Sequence, residues 1–147
     1  MFEALIIDFN RTLYDPDCKA LEEGAAETLK SLRERCRLGL LSKSGEGNRA
    51  EMFEELGIRR YFDVVVIVGE KGADSFRECA ARLCAKPENV LAVGDQVKKD
   101  IRLAKSAGCK TAWFKKGKFA GVEPESADET PDYTTTDLKS LVSIVGK

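Results

Sequence analysis

The chain has 147 residues, of which 43% are hydrophobic and 33% charged, with a formal net charge of −1. That length suits one domain with one sizeable core, and the near balance of charge gives no global pull towards nucleic acid or an anionic membrane. No apolar run approaches the roughly 18 residues of a membrane span, and the start, Met1-Phe2-Glu3-Ala4, lacks the basic residues and cleavage site of a secretory signal.

Strand-like and helix-like stretches alternate along the chain. Residues 4–9 are predicted as the first strand. Residues 22–35 are predicted as a helix with Ala25, Leu29, Leu32 and Cys36 on one face. The second strand is 38–42. A helix over 48–56 follows, burying Met52, Phe53 and Leu56 and stopping at Gly57. Residues 63–68 are β-branched and continuous, as in a strand covered on both faces. A helix over 73–84 turns Phe76, Ala80 and Leu83 inward, and Pro87 breaks the chain after it. The fourth strand, 89–93, stops at Gly94. A helix over 98–107 follows, with Ile101, Ala104 and Ala107 or Cys109 facing the core, and 110–114 is the fifth strand. An acidic loop, 121–131, reads as solvated surface. A short strand at 132–134 and a helix over 137–145, with Leu138, Leu141, Val142 and Val145 on one face, complete the chain. This order implies an α/β fold: a three-layer α/β/α sandwich with a mainly parallel, Rossmann-like sheet of five or six strands.

The five cysteines, Cys18, Cys36, Cys79, Cys84 and Cys109, show no Cys-x-x-Cys spacing, and the chain has no histidine. A structural zinc site is therefore not expected. The cysteines read as reduced core fillers of a cytoplasmic protein. Without histidine there is no Ser-His or Cys-His hydrolase mechanism. Acid–base chemistry falls to Asp, Glu, Lys, Tyr or Cys.

Four predicted strand ends carry reactive residues. The first bears Asp8, Asn10 and Thr12, and the second Ser42, followed by Lys43. Lys71 comes after the third, and Gly94-Asp95 with Asp100 after the fourth. In a parallel sheet these ends converge on one crevice. Several carboxylates can hold a hard Mg²⁺ ion through oxygen. A lysine and a metal offset the charge of a phosphate that an aspartate would otherwise repel. A hydroxyl and free backbone N–H groups can bind phosphate oxygens. The set fits phosphoryl transfer.

The same residues resemble the motifs of the haloacid dehalogenase (HAD) superfamily of phosphohydrolases. Asp8-Phe9-Asn10-Arg11-Thr12 is similar to its first motif, Asp-x-Asp-x-Thr. Leu40-Leu41-Ser42 is similar to the second, Lys71 to the lysine of the third, and Gly94-Asp95 with Asp100 to the fourth. The resemblance covers essentially the whole chain. It implies a Mg²⁺-dependent phosphatase with Asp8 as nucleophile and metal ligand. The backbone carbonyl of Asn10 and the carboxylate of Asp95 would complete the ligands. Asp100 and Thr12 would support the site. Asn10, Arg11, Ser42, Lys43 and Lys71 are the candidate phosphate-binding residues, and Asp8, Asn10, Ser42 and Lys71 the catalytic set. Residues 12–19 would form the family's squiggle and flap.

Three positions depart from the pattern. Asn10 stands where most of these phosphatases have a general acid–base aspartate, which an amide cannot replace. Arg11 stands where glycine is common, and Gly72 follows Lys71 where proline is frequent. Asn10 raises the alternative of a weakly active or non-catalytic module that binds phosphate. A receiver domain is a poorer match, because the third strand ends in Ile67-Val68-Gly69 rather than in a phosphoacceptor. Nothing suggests a halide pocket.

Only 29 residues separate Thr12 from Ser42 and 28 separate Ser42 from Lys71, too few for the cap domain that family members insert at these points. The expectation is one HAD-like core domain, 1–147, without a cap. Its open crevice suits a phosphorylated macromolecule, or a small phosphate enclosed by a second subunit of a homo-oligomer. Lys110, Lys115, Lys116 and Lys118 surround Trp113, Phe114 and Phe119. An acidic loop follows at once, so solvation is favoured there over nucleic-acid binding.

Overall fold

Alternation along the first strand sets the layers. All four residues of β1 (Ala4–Ile7) are buried. Ala4 and Ile6 join one apolar cluster and Leu5 and Ile7 the other, so both faces of the strand are covered. The computed structural model describes residues 1–146; Lys147, the last residue of the expected domain, lies outside them. The sheet continues through β4 (Arg37–Lys43), β5 (Val64–Val68), β6 (Val90–Gly94), β7 (Lys110–Phe114) and β8 (Tyr133–Thr135). Its six strands run in the order β5-β4-β1-β6-β7-β8, and every pairing is parallel. Leu5 and Ile7 meet α1 (Ala25–Arg33), α2 (Arg49–Glu55) and α5 (Leu141–Val145) through Leu29, Phe53 and Leu141. Ala4 and Ile6 meet α3 (Ala73–Arg82) and α4 (Arg102–Ser106) through Phe76, Ala80 and Ala104. This is the expected three-layer α/β/α sandwich.

Most elements lie within a residue or two of their sequence-based bounds, and the exceptions have local causes. The helix predicted over 22–35 starts three residues late. Glu22 N–H donates to the Leu13 carbonyl at 2.7 Å, and Gly24 is left-handed at φ 74°. Residues 14–21 form a small antiparallel hairpin, β2 (Tyr14–Asp15) with β3 (Ala20–Leu21), which two-residue strands do not reveal in a sequence. The helix predicted over 98–107 is an α-helix only in its second half. Its first half, Val97–Ile101, is a π-helical turn in which Ile101 N–H reaches the Gln96 carbonyl at 3.2 Å. The last helix loses its first residues because the Asp137 carboxylate accepts from both the N–H and the hydroxyl of Ser140 at 2.8 Å, which holds a turn instead.

The cysteines divide. Cys79 and Cys109 are buried as expected. Cys18 and Cys84 are exposed and are not core fillers, Cys18 in the hairpin loop and Cys84 in a left-handed position that ends α3. The acidic loop is pinned rather than merely solvated, with Glu129 taking Lys98 at 2.9 Å and Glu123 taking Lys115 at 2.8 Å. Among the described residues no helix is long and apolar enough to cross a membrane.

One buried hydrogen bond ties the sheet to the loop after β6. Trp113, on β7, packs against Val97 and Ile101, and its indole N–H donates to the Asp95 carbonyl at 3.0 Å. Trp113→Phe keeps an aromatic ring, smaller than the indole, but removes the N–H and leaves that carbonyl unmatched. The expected cost is about 1–3 kcal/mol, read as a lower urea midpoint with an unchanged m-value.

Candidate active site

The chain crosses from one half of the sheet to the other between β5 and β6, so β1 and β6 lie side by side at the change of direction. In open α/β sheets that point, at the carboxyl ends of the strands, opens a crevice. Asp8 follows β1 and Asp95 follows β6. Asp8 N–H donates to the Val93 carbonyl at 3.0 Å, so the ladder holds the two strand ends in register.

Directly after Asp8 the chain folds back. Phe9 is fully buried and stacks on Tyr14 with ring centroids 5.0 Å apart. Its carbonyl accepts the N–H groups of Leu13 and Tyr14 at 2.9 and 3.1 Å, closing a tight turn that leaves Asn10 exposed. Arg11 occupies a left-handed position at φ 64°, which accounts physically for glycine being common there. Its guanidinium pairs with Asp17 on the hairpin at 3.3 Å.

Lys71, between β5 and α3, reaches into the centre. Its ammonium donates to Asp8 Oδ1 at 2.6 Å and to Asp100 Oδ1 at 3.2 Å. The π-helical turn carries Asp100 to this position, and Gly94 leaves room for it. A Cβ on Gly94 would lie 2.4–2.7 Å from three atoms of the Asp100 side chain. Asp100 Oδ2 also accepts from Gln96 N–H at 3.3 Å.

Two carboxylates thus share one ammonium, and a third lies beside them. Oxygens of Asp8, Asp95 and Asp100 all lie within 4.8 Å of one another. Asp95 is 1% exposed, and neither of its carboxylate oxygens has a hydrogen-bond partner among the described residues. Burial, then the charges of Asp8 and Asp100, push its pKa up to about 8. Burial also raises Asp8, but the adjacent Lys71 opposes it and the value stops at about 6. Burial by itself would lower Lys71; Asp8 and Asp100 outweigh it and hold the ammonium above the ordinary lysine value. An oxygen-only, anionic and partly unmatched set is a donor set that a hard divalent cation takes.

Above this centre lies a crevice of about 610 Å³, lined by Asp8, Asn10, Arg11, Lys43, Lys71 and Asp100 among the sequence-derived candidates. Asp95, Thr12 and Ser42 are buried and do not line it. Thr12 is fully buried in the turn after Phe9, with its hydroxyl unpartnered. Ser42 is 2% exposed at the end of β4, and its hydroxyl donates to the Lys43 carbonyl at 2.9 Å. Lys43 pairs with Glu70 at 3.3 Å. From the basic segment only Lys118, with Phe119, reaches the crevice, while Lys116 is held by Glu22 at 3.0 Å.

The lining also includes Arg49, Glu70, Gln96, Lys99 and Arg102, which sequence reasoning missed. Each stands a few residues past a strand end, at the start of a helix or in a joint, and that position was their only available signal. Asp15, on the hairpin, does not line the crevice. Its carboxylate accepts from the N–H groups of Asp17 and Cys18 at 2.9 and 3.4 Å, and those bonds lower its pKa.

Comparison with known proteins agrees with this geometry. The family model for haloacid dehalogenase-like hydrolases matches residues 3–108. A glyceraldehyde 3-phosphate phosphatase from Methanopyrus kandleri is 36% identical over 124 residues, which cover 80% of this chain and 53% of that protein. A phosphoserine phosphatase from Thermus thermophilus is 28% identical over 81% of this chain and 48% of its own length. This chain therefore spans about half the length of the curated relatives it matches. The crystal structure of a 2-haloacid dehalogenase from Pseudomonas syringae superposes over 99% of both chains with a TM-score of 0.79 at 16% identity, a likeness of fold alone. With the family model matching most of the sequence, the chain belongs to the haloacid dehalogenase-like hydrolases.

Proposed function

We propose that this protein is a Mg²⁺-dependent phosphomonoester hydrolase that works through an aspartyl-phosphate on Asp8. The observation that carries this reading is the Asp8–Lys71 pair, 2.6 Å apart at the foot of the crevice, next to an Asp95 whose two oxygens lack partners. The relatives named as phosphatases support the same chemistry. Asp8, Asp95 and the backbone carbonyl of Asn10 would hold the ion, with Asp100 behind them. Bound there, Mg²⁺ supplies positive charge that offsets the repulsion between a phosphate and a carboxylate.

The chain's own residues divide the work. Lys71 orients Asp8 and neutralises part of the phosphoryl charge. Ser42 would have to turn its buried hydroxyl away from the Lys43 carbonyl to meet a phosphoryl oxygen, and Lys43 and Arg11 stand at the rim. In the first half-reaction an Asp8 oxygen forms a bond to phosphorus. The phosphorus–alkoxyl bond breaks, and the leaving oxygen keeps the electron pair and takes a proton from solvent. In the second half-reaction water adds to phosphorus and loses a proton to solvent. The phosphorus–Asp8 bond breaks, and phosphate departs.

The second half-reaction is where this chain is weak. Asn10 lines the crevice at the position of the usual acid–base carboxylate, and Asp15, the nearest acidic residue of the hairpin, is committed to its own turn. These two observations favour a slow phosphoenzyme, and with it a regulatory or phosphate-holding role. The hairpin and α1 fill the chain between Thr12 and Ser42, and α2 fills that between Ser42 and Lys71. We read the chain as a single core domain without a cap, open to a phosphorylated macromolecule or covered by a second subunit.

Asp95→Asn should weaken Mg²⁺ binding by about tenfold or more, measured by titration calorimetry. The same carboxylate sets a pH dependence. Between the ordinary value of 3.8 and about 8, metal-free folded protein keeps a proton on Asp95 that the unfolded chain has released. Metal-free stability therefore falls as pH rises through that window. Mg²⁺ must displace the proton, so its stabilising effect should be larger near pH 8 than near pH 6, measured as the rise in Tm on adding the ion. An equal rise at both pH values would reject Asp95 as a ligand.

Loss of a positioned general acid–base costs about 10²–10⁴-fold in rate. Wild-type protein should prefer activated esters or acyl phosphates, and its phosphoenzyme should persist in a pulse–chase experiment. Asn10→Asp should shorten that lifetime about tenfold or more. Equal lifetimes would show that another group activates the water.

A further inference from the structure

Arg49 is a half-buried cation of the crevice whose charge the fold leaves unanswered. It opens α2, is half-buried, and places its guanidinium over the Phe9 ring at 5.2 Å. Gly45, left-handed at φ +48°, keeps space for it: a Cβ there would lie 2.5 Å from Nη2. Nη1 donates to the Met52 sulfur at 3.2 Å, a weak acceptor, and Nε is buried without a partner. Three other basic groups of the crevice are answered. Arg11 has Asp17, Lys43 has Glu70, and Lys71 has Asp8 and Asp100. Among the described residues Arg49 has no carboxylate partner, and neither do Lys99 and Lys118 in the same crevice.

A guanidinium that is partly desolvated and fixed by packing has lost hydration without a compensating anion. Its planar fork is already immobilised, so an incoming oxyanion need not order it. Arg49 and Asp8 line the same crevice, so this charge faces the space that holds the proposed point of phosphoryl transfer. We propose that Arg49 is a specificity residue that binds a second anionic group of the substrate, a carboxylate or a phosphate, beyond the phosphoryl group that Asp8 accepts. This rests on the phosphohydrolase reading and narrows it to phosphomonoesters with two anionic ends.

Two matched pairs of esters test it. One pair is 3-phosphoglycerate against glycerol 3-phosphate, and the other is fructose 1,6-bisphosphate against fructose 6-phosphate. Wild-type protein should favour the doubly anionic member of at least one pair by about tenfold or more in kcat/KM, mainly through KM. Arg49→Met, which keeps an unbranched stem over Phe9, should erase that preference, and Arg49→Lys should restore part of it. The milder Arg49→Lys also keeps the test decisive if Arg49→Met fails to fold.

The same four esters are then titrated with Mg²⁺ into Asp8→Asn and into Asp8→Asn/Arg49→Met, neither of which can form the phosphoenzyme. Tighter binding of a doubly anionic ester that disappears in the second variant supports the assignment even if the wild type turns over none of the esters. In that case the hydrolase reading fails and the Arg49 site stands. Equal handling of both members of both pairs, or a preference that survives Arg49→Met undiminished, overturns the proposal.

Discussion

One ammonium among three carboxylates organises this molecule. Lys71 is 2.6 Å from Asp8 and 3.2 Å from Asp100, and only 12% of its side chain is exposed. Charges so placed have lost most of their hydration, and mutual pairing is what makes their burial tolerable. The surrounding structure follows from that requirement. Gly94 lacks a side chain because Asp100 lies against it. The π-helical turn Val97–Ile101 sets the depth at which Asp100 arrives. Trp113 fixes the backbone of Asp95 from the neighbouring strand. The cluster holds more carboxyl groups than ammonium groups, and the one left without a protein partner is Asp95.

The sheet explains why these groups meet. Lys71 and Asp8 are 63 positions apart in sequence, and Lys71 and Asp100 are 29 apart. A parallel sheet brings every strand out at the same edge, and the change of direction beside β1 leaves a gap where side chains from several strand ends project together. The turn after Phe9 makes the site local as well. Phe9, next to the exposed Asn10, stacks on Tyr14 and meets Phe53 edge-on. The core on that side of the sheet therefore also supports the rim of the crevice.

Around this centre the chain has its own periphery. An amide stands at position 10, an arginine at position 11 bridges to the hairpin, and a second arginine at position 49 lies on the Phe9 ring. Arg11 is answered by Asp17, whereas Arg49 has no carboxylate partner among the described residues and only the Met52 sulfur to donate to. The acidic loop answers Lys115 of the basic segment through Glu123, and Lys98 of the π-helical turn through Glu129.

The strand–helix order, the apolar faces and the strand-end motifs were legible in the amino-acid sequence, because each is a local property. Burial on both sides demands continuous β-branched runs such as Val64 to Val68. Helical burial demands spacing such as Ala25, Leu29 and Leu32, and catalytic carboxylates must sit where strands stop. Asp8, Asn10, Lys71, Asp95 and Asp100 could be named on that basis. The hairpin of Tyr14–Asp15 with Ala20–Leu21 could not, since two-residue strands carry no periodicity. Nor could the π-helical turn, because its spacing differs from that of an α-helix by a fraction of a residue. The charge state of Asp95, the commitment of Asp15 to its turn and the unanswered guanidinium of Arg49 depend on which groups lie nearby and which do not. Pairing and desolvation arise between residues far apart in the chain, so the tertiary structure alone decided them.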